Sequence, residues 1–210
     1  MNKITLLVVA MLVTASAYCQ RRQFSIEGGY GLGISGKPIS TEFGHFEGGV
    51  RYMWNESWGV KLDAGFDKYR YDATPTLETG TNYTRVSVQA VYNLGRFLDW
   101  AEYVDNLNIL AHGGVGYSQI KPINMPEGDQ TDSMSNVVLG LTPQLYLGER
   151  VSLYADWTYV MNYSQHRDYD GQFHEPSTDK GAKRFIGGTS TISVGIIVYL
   201  GRYASDNDWR

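Results

Sequence analysis

Eight separate stretches of this sequence alternate apolar residues with polar, charged or glycine residues at a period of two. That period belongs to strands, because successive side chains of a strand point to opposite faces of a sheet. In the first run Phe24, Ile26, Tyr30 and Leu32 alternate with Ser25, Glu27, Gly29 and Gly31. In the second, Phe46, Val50, Tyr52 and Trp54 alternate with Glu47, Gly49, Arg51 and Met53. The third sets Trp58, Val60, Leu62 and Phe66 against Gly59, Lys61, Asp63, Gly65 and Asp67. Further runs begin at Thr84, Leu107, Asn136, Val151 and Thr191. Each spans about nine to twelve residues, the length of a tilted membrane-crossing strand rather than the usual five or six.

The connections alternate too. Residues 55–57 and 148–150 are short turns, whereas about 35–42, 70–82, 120–134 and 163–185 are long and polar. Short turns on one side and long loops on the other are the pattern of an outer-membrane barrel. The middle turn breaks it. "GRFLDWAEYVDN" (95–106) places Phe97, Leu98, Trp100, Ala101 and Val104 among charges. It reads either as a short amphipathic helix at the membrane interface or as an irregular turn on the barrel rim. Pro143 interrupts the sixth run and predicts a bulge, because proline cannot donate to the ladder.

Alternation alone leaves open which face meets what. An exported soluble barrel or sandwich would put the apolar face inside. Four features favour the opposite. About five large apolar residues on each of eight strands would overfill a bore only wide enough for its own side chains. The other face mixes Glu27, Glu47, Asp63, Asp67 and Asp156 with Arg51, Lys61 and Arg85, and its glycines leave room for long side chains. These eight residues are expected to form a paired ion network in the lumen, since buried charges persist when paired. Aromatics collect at the strand ends, with Tyr52, Trp54, Trp58 and Tyr92 at one end and Tyr30, Phe66, Tyr117 and Tyr159 towards the other. Finally, closure removes every exposed sheet edge. The expected fold is therefore all-β, an eight-stranded antiparallel up-and-down transmembrane β-barrel, with Asp156 pointing inward towards Arg51, Lys61 or Arg85.

The N-terminus carries Lys3, an apolar run from Ile4 to Val13, and small residues at Ser16 and Ala17. This reads as a signal peptide over residues 1–19, cleaved after Ala17 or Cys19, and the run is too short to span a membrane as a helix. Residues 20–202 then form the barrel and 203–210 a short periplasmic tail. Cys19 is the only cysteine, so no disulfide is expected in the mature protein. A formal net charge of −4 excludes a general nucleic-acid surface.

"FSIEGGYGLGIS", "LNILAHGGVGYSQIK" and "ISVGIIVYLGR" together resemble the eight-stranded outer-membrane barrels of the OmpA/OmpX type, most closely those of Bacteroidetes, over roughly residues 23–202. The resemblance implies location in the bacterial outer membrane, contact with outer-membrane lipid, and insertion by the barrel-assembly machinery. The peptidoglycan-binding domain that follows the barrel in OmpA proteins has no counterpart in "YASDNDWR".

Candidate chemistry is sparse. His112 falls on the inward face and reads as a hydrogen-bonding group, while His45 lies near the mouth of the second strand. "HRDYDGQFHE" (166–175) has the residue types of a divalent-cation site but no recognisable ligand spacing, so a solvated loop is expected there. Ser164, His166 and Asp168 lack the context of a nucleophile. "DSM" (132–134) fits a short O-glycosylation pattern. No cofactor, metal or enzymatic activity is expected, nor is association beyond a monomer. The expected role is structural, with loops offered to an unidentified surface partner and a lumen filled rather than open. Small-solute transport is the alternative, and a lipid-acting enzyme at the rim is a third reading.

Overall fold

A computed structural model describes residues 23–74, 77–99, 104, 106–124, 130–148, 150–173 and 185–200. Eight strands follow one another: β1 (Gln23–Ser35), β2 (Thr41–Met53), β3 (Trp58–Thr74), β4 (Leu77–Asn93), β5 (Leu107–Ile123), β6 (Asp132–Gly148), β7 (Val151–Gln165) and β8 (Phe185–Tyr199). Each pairs antiparallel with the next, and β8 returns to β1, from Ser25 opposite Tyr199 to Ser35 opposite Thr189. The result is a closed up-and-down barrel.

Side chains sort by parity. On β7, Ser152, Tyr154, Asp156, Thr158 and Asn162 are buried, while Leu153, Trp157 and Tyr159 are exposed. One rung of the outer wall runs Val50, Leu62, Val88, Val115, Val137 around five strands. Leu62, Val88 and Val115 are each more than half exposed. Outward rings mark both ends of this band. Trp58 packs on Tyr92 at 4.6 Å at the short-turn end, and Phe46 on Phe66 at 6.5 Å towards the long loops. From Trp58 to Phe66 is about 26 Å of strand. A tilt of about 40° leaves about 20 Å of height before the rings are added, close to the ~25 Å apolar band of a membrane barrel.

The turns are closed by local polar groups. Asn55 accepts from the backbone N–H of Ser57 (2.8 Å) and Trp58 (2.7 Å), which sets the β2–β3 reversal. After β4, Asn93 caps a single helical turn, α1 (Leu94–Phe97), by accepting from Arg96 N–H at 3.1 Å. Of the segment 95–106, the described part is this one turn, then exposed Leu98 and Asp99, and exposed Val104 and Asn106. Trp100 and Ala101 lie outside the described residues. The expected signal peptide at 1–19 and the expected tail at 203–210 also lie outside them.

Three expectations need correction. Pro143 makes no bulge. Leu141 stays opposite Trp157 and Gln144 opposite Tyr154, so the β6–β7 register resumes unchanged across a gap at Thr142 and Pro143. Proline removes one donor without adding a residue, and the register shift falls instead between Tyr146 and Gly148. The stretch 70–82 is largely strand rather than loop: β3 and β4 run on as a hairpin, with Tyr71 opposite Thr79. Likewise "DSM" lies in β6, where Asp132 and Met134 turn inward and Ser133 outward.

Candidate functional site

The inside of the barrel is built from the parity-inward residues. Glu27, Glu47, Arg51, Lys61, Asp63, Asp67, Arg85 and Asp156 are all buried, none more than 4% exposed. Lys61 Nζ pairs with Glu27 and lies 3.3 Å from Asp63 Oδ2. Arg51 Nη1 stands 3.7 Å from Glu27 Oε2, and Arg51 Nε donates to Ser25 Oγ at 3.3 Å. Arg85 Nη2 donates to Asp63 Oδ1 at 2.6 Å. Gln89 Nε2 also reaches Asp63, at 3.4 Å, and its Oε1 lies 2.6 Å from His112 Nδ1. His112 Nε2 is 3.0 Å from Asp156 Oδ2. The contacts thus run without a break from Arg51 through Glu27, Lys61, Asp63, Gln89 and His112 to Asp156.

The partner of Asp156 is therefore none of Arg51, Lys61 and Arg85. Those cations serve Glu27 and Asp63. Asp156 takes His112 together with the hydroxyls of Thr142 (2.7 Å) and Thr158 (2.5 Å). The reason is stagger. His112 pairs with Gly140 on β6, and Gly140 with Thr158 on β7, so the imidazole crosses the intervening strand over a residue without a side chain. A Cβ at Gly140 would overlap the His112 ring. Lys61 crosses Gly49 in the same way to reach Glu27, its Cε 3.2 Å from where a Cβ would sit.

A second cluster lies nearer the long-loop end. His45 is buried, with Nδ1 2.8 Å from Asp67 Oδ1 and Nε2 3.3 Å from Glu47 Oε2. Glu47 Oε1 further accepts from Tyr154 OH (2.8 Å) and Ser193 Oγ (2.5 Å). The parity of His45 with Glu47 and Arg51 carried this signal, because the strand continues back to Thr41.

Sequence reasoning missed the closure of the mouth. The segment after β7 turns back into the barrel and buries Tyr169 against Tyr69 (ring centroids 5.2 Å apart) and Tyr83 (5.9 Å). Ile120 and Met134 complete this apolar layer. Tyr169 OH accepts from Asn162 Nδ2 at 2.9 Å, its carbonyl accepts from Thr81 Oγ1 at 2.7 Å, and its N–H donates to Lys37 O at 2.9 Å. Tyr169 lies outside the strands, and burial raises its hydroxyl well above the usual tyrosine range. Asp132 holds the base of the segment by accepting from the backbone N–H of His166 (2.7 Å) and Arg167 (3.1 Å). Arg167 stacks over Phe173 at 3.9 Å and donates to Gly171 O. The signal in sequence was an aromatic between two aspartates, followed four residues later by Phe173, in a largely polar loop.

The other candidates in this segment stand apart. His166 Nδ1 faces Asp132 at 2.9 Å, whereas Ser164 is exposed at a positive φ of 62°. Among the described residues no three His, Cys, Asp or Glu side chains are grouped to hold a metal, and His174 and Glu175 lie outside them.

A closed eight-stranded barrel with an apolar, ring-bounded outer wall defines a membrane-spanning barrel protein. Residues 4–195 match the family described as outer membrane protein beta-barrel domain, and the chain belongs to that family. It is thus a protein of the bacterial outer membrane. The fold is similar to a major outer membrane protein of Thermus thermophilus (TM-score 0.54, 16% identity, 86% of this chain and 100% of that one). It is also similar to Ail, the attachment invasion locus protein of Yersinia pestis (0.53, 14%, 86% and 99%), and to OprG of Pseudomonas aeruginosa (0.52, 12%, 85% and 96%). No curated protein matches the sequence.

Proposed function

We propose that this protein is a non-conducting structural barrel that presents its long loops at the cell surface. The observation that carries the reading is the unbroken line of buried contacts from Arg51 to Asp156. An eight-stranded bore is only wide enough for its own side chains. Here those side chains bond to one another, so an ion crossing the lumen would have to break several buried pairs. Tyr169 and its ring partners add an apolar stop at the extracellular mouth. The likeness to the attachment invasion locus protein is one of fold, and it supplies no partner for the loops.

Transport would need either a wider bore or a parting of the wall. In the β6–β7 ladder pairing lapses at Thr142 and Pro143, and there Thr142 Oγ1 reaches across to Asp156 Oδ2 at 2.7 Å. That bond ties β6 to β7 where the ladder does not.

The test is reconstitution in planar bilayers. The expected result is no appreciable conductance over prolonged recording, with a boiled-versus-unboiled gel shift reporting that the same sample is folded. Steady channel openings would overturn the reading.

A further inference from the structure

The lumen holds more buried carboxylates than permanent cations. Among the described residues its buried ions are Glu27, Glu47, Asp63, Asp67 and Asp156 against Arg51, Lys61 and Arg85. At the mouth Asp132 and Arg167 are buried too, and they add one charge of each sign. Two negative charges are left over. The wall around them faces hydrocarbon, and an uncompensated ion in so dry a place is costly. The buried tyrosines can add only negative charge. His45 and His112, both buried, are the groups left that can supply the missing positive charge.

Hydrogen-bond polarity points the same way. A neutral imidazole donates from one nitrogen and accepts at the other, whereas an imidazolium donates from both. His45 has a carboxylate on each side: Asp67 Oδ1 on β3 lies 2.8 Å from Nδ1, and Glu47 Oε2 on β2 lies 3.3 Å from Nε2. Glu47 Oε1 is itself an acceptor, for Tyr154 OH on β7 and Ser193 Oγ on β8. β1 sets Gly31 opposite His45, and Arg85 on β4 and Tyr69 on β3 act on its carboxylates through space. His112 also faces acceptors at both nitrogens. Gln89 Nε2 on β4 donates to Ser87 Oγ at 2.8 Å and to Asp63 Oδ1 at 3.4 Å, which turns Gln89 Oε1 towards His112 Nδ1 at 2.6 Å. Turning this amide over would set its carbonyl against the Asp63 carboxylate. On the other side Nε2 meets Asp156 Oδ2 on β7 at 3.0 Å, while β6 contributes Gly140 and Thr142. Lys61 and Asp63 on β3 act on Asp156 from further off.

We propose that His45 and His112 are both imidazolium cations in the folded barrel, so that two bound protons complete the charge balance of the lumen and make the barrel sensitive to alkali. In the unfolded chain a histidine titrates near pH ~6.5 and is mostly neutral above it. The folded barrel then holds about two more protons than the unfolded chain, and raising the pH favours unfolding. The stabilisation is complete below that range and is lost as the pH climbs above it. Two linked protons raise the unfolding equilibrium constant about a hundredfold per pH unit, and one raises it about tenfold. The proposal stands on the lumen contacts and not on whether the barrel conducts.

The test is nitrogen NMR of the full chain, isotope-labelled at histidine and folded in detergent micelles at about pH 8, above the ordinary histidine range. Both ring nitrogens of His45 and of His112 are expected in the protonated form, each ring assigned by its disappearance in His45→Gln or His112→Gln. Urea unfolding between about pH 7 and about pH 9, followed on unboiled gels, counts the protons. The wild type is expected to show the hundredfold dependence and each histidine variant the tenfold one. Asp67→Asn keeps the shape of the partner, removes one carboxylate and is expected to shed the same proton as His45→Gln, which covers the case of a histidine variant that does not fold. An unprotonated nitrogen on either ring of the folded wild type would overturn the proposal. So would a pH dependence that is the same in the variants as in the wild type.

Discussion

His112 Nε2 lies 3.0 Å from Asp156 Oδ2, and the imidazole reaches it by passing over Gly140. One histidine on β5 thus meets a carboxylate two strands away, through a notch left by a missing side chain. Its other nitrogen holds Gln89, which continues to Asp63. Asp156 therefore anchors one end of a line of contacts that crosses the bore.

Removing that anchor should be costly. Asp156→Ala leaves His112, Thr142 and Thr158 without their acceptor in a buried site, and breaking such a pair typically costs about 3–5 kcal/mol. Urea unfolding, followed by the folded-band fraction on unboiled gels, should show a lowered midpoint. Gly140→Ala should weaken the protein through the same pair, since its Cβ would overlap the ring. The double variant Gly140→Ala/His112→Ala should then lose less than the sum of the single losses.

Lys61 and Lys68 make a matched comparison on one strand. Lys61 is buried between Glu27 and Asp63, whereas Lys68 is exposed. Lys61→Met should destabilise by about 3–5 kcal/mol, because buried Glu27 and Asp63 each lose a cation and are left with Arg51 and Arg85 alone. Lys68→Met should stay within about 0.5 kcal/mol. Equal effects in equilibrium unfolding would mean that the lumen pairs do not hold the wall together.

Leu62 tests which solvent the outer wall meets. It sits midway between Trp58 and Phe66 and is 56% exposed. Leu62→Arg should cost about 2–4 kcal/mol for folding into phosphatidylcholine bilayers, the penalty of a cation at mid-band depth. On a wall facing water the same change would cost almost nothing.

Tyr169 separates two candidate constrictions. Tyr169→Ala removes a buried ring and should cost about 3–5 kcal/mol. It should nevertheless leave the bilayer conductance at zero, because the ionic layers beneath Tyr69 and Tyr83 remain packed. Channels appearing in this variant alone would place the whole barrier in the loop.

The eight strands and their two faces were legible because period two is a local property, readable from any few neighbours. Buried Asp156 and exposed Trp157 follow from parity alone. The pairing inside the bore was not legible. Which inward side chains meet across intervening strands depends on tilt and stagger, and these are set by the closed ladder rather than by spacing in sequence. His112 and Asp156 are a case in point: nothing in either run names the other, and the glycine between them sits on a third strand. Strand ends failed for another reason. Tyr69, Tyr71, Thr79 and Thr81 continue the alternation beyond the band, yet their polar neighbours resemble those of a loop. Tyr169 was hidden because a loop residue has no periodicity from which to infer the direction of its side chain.

The seam between β1 and β8 has a consequence for assembly. Every other pair of strands joins chain neighbours, but Ile26 must find Val198 and Leu32 must find Ile192. Until the last strand has arrived, both β1 and β7 expose a full row of unpaired backbone groups, which hydrocarbon tolerates poorly. The chain is therefore committed to an all-or-nothing event, in which the final zipper of hydrogen bonds completes the first strand as much as the last. Without β8 the sheet would stay open, with β1 and β7 as two free edges.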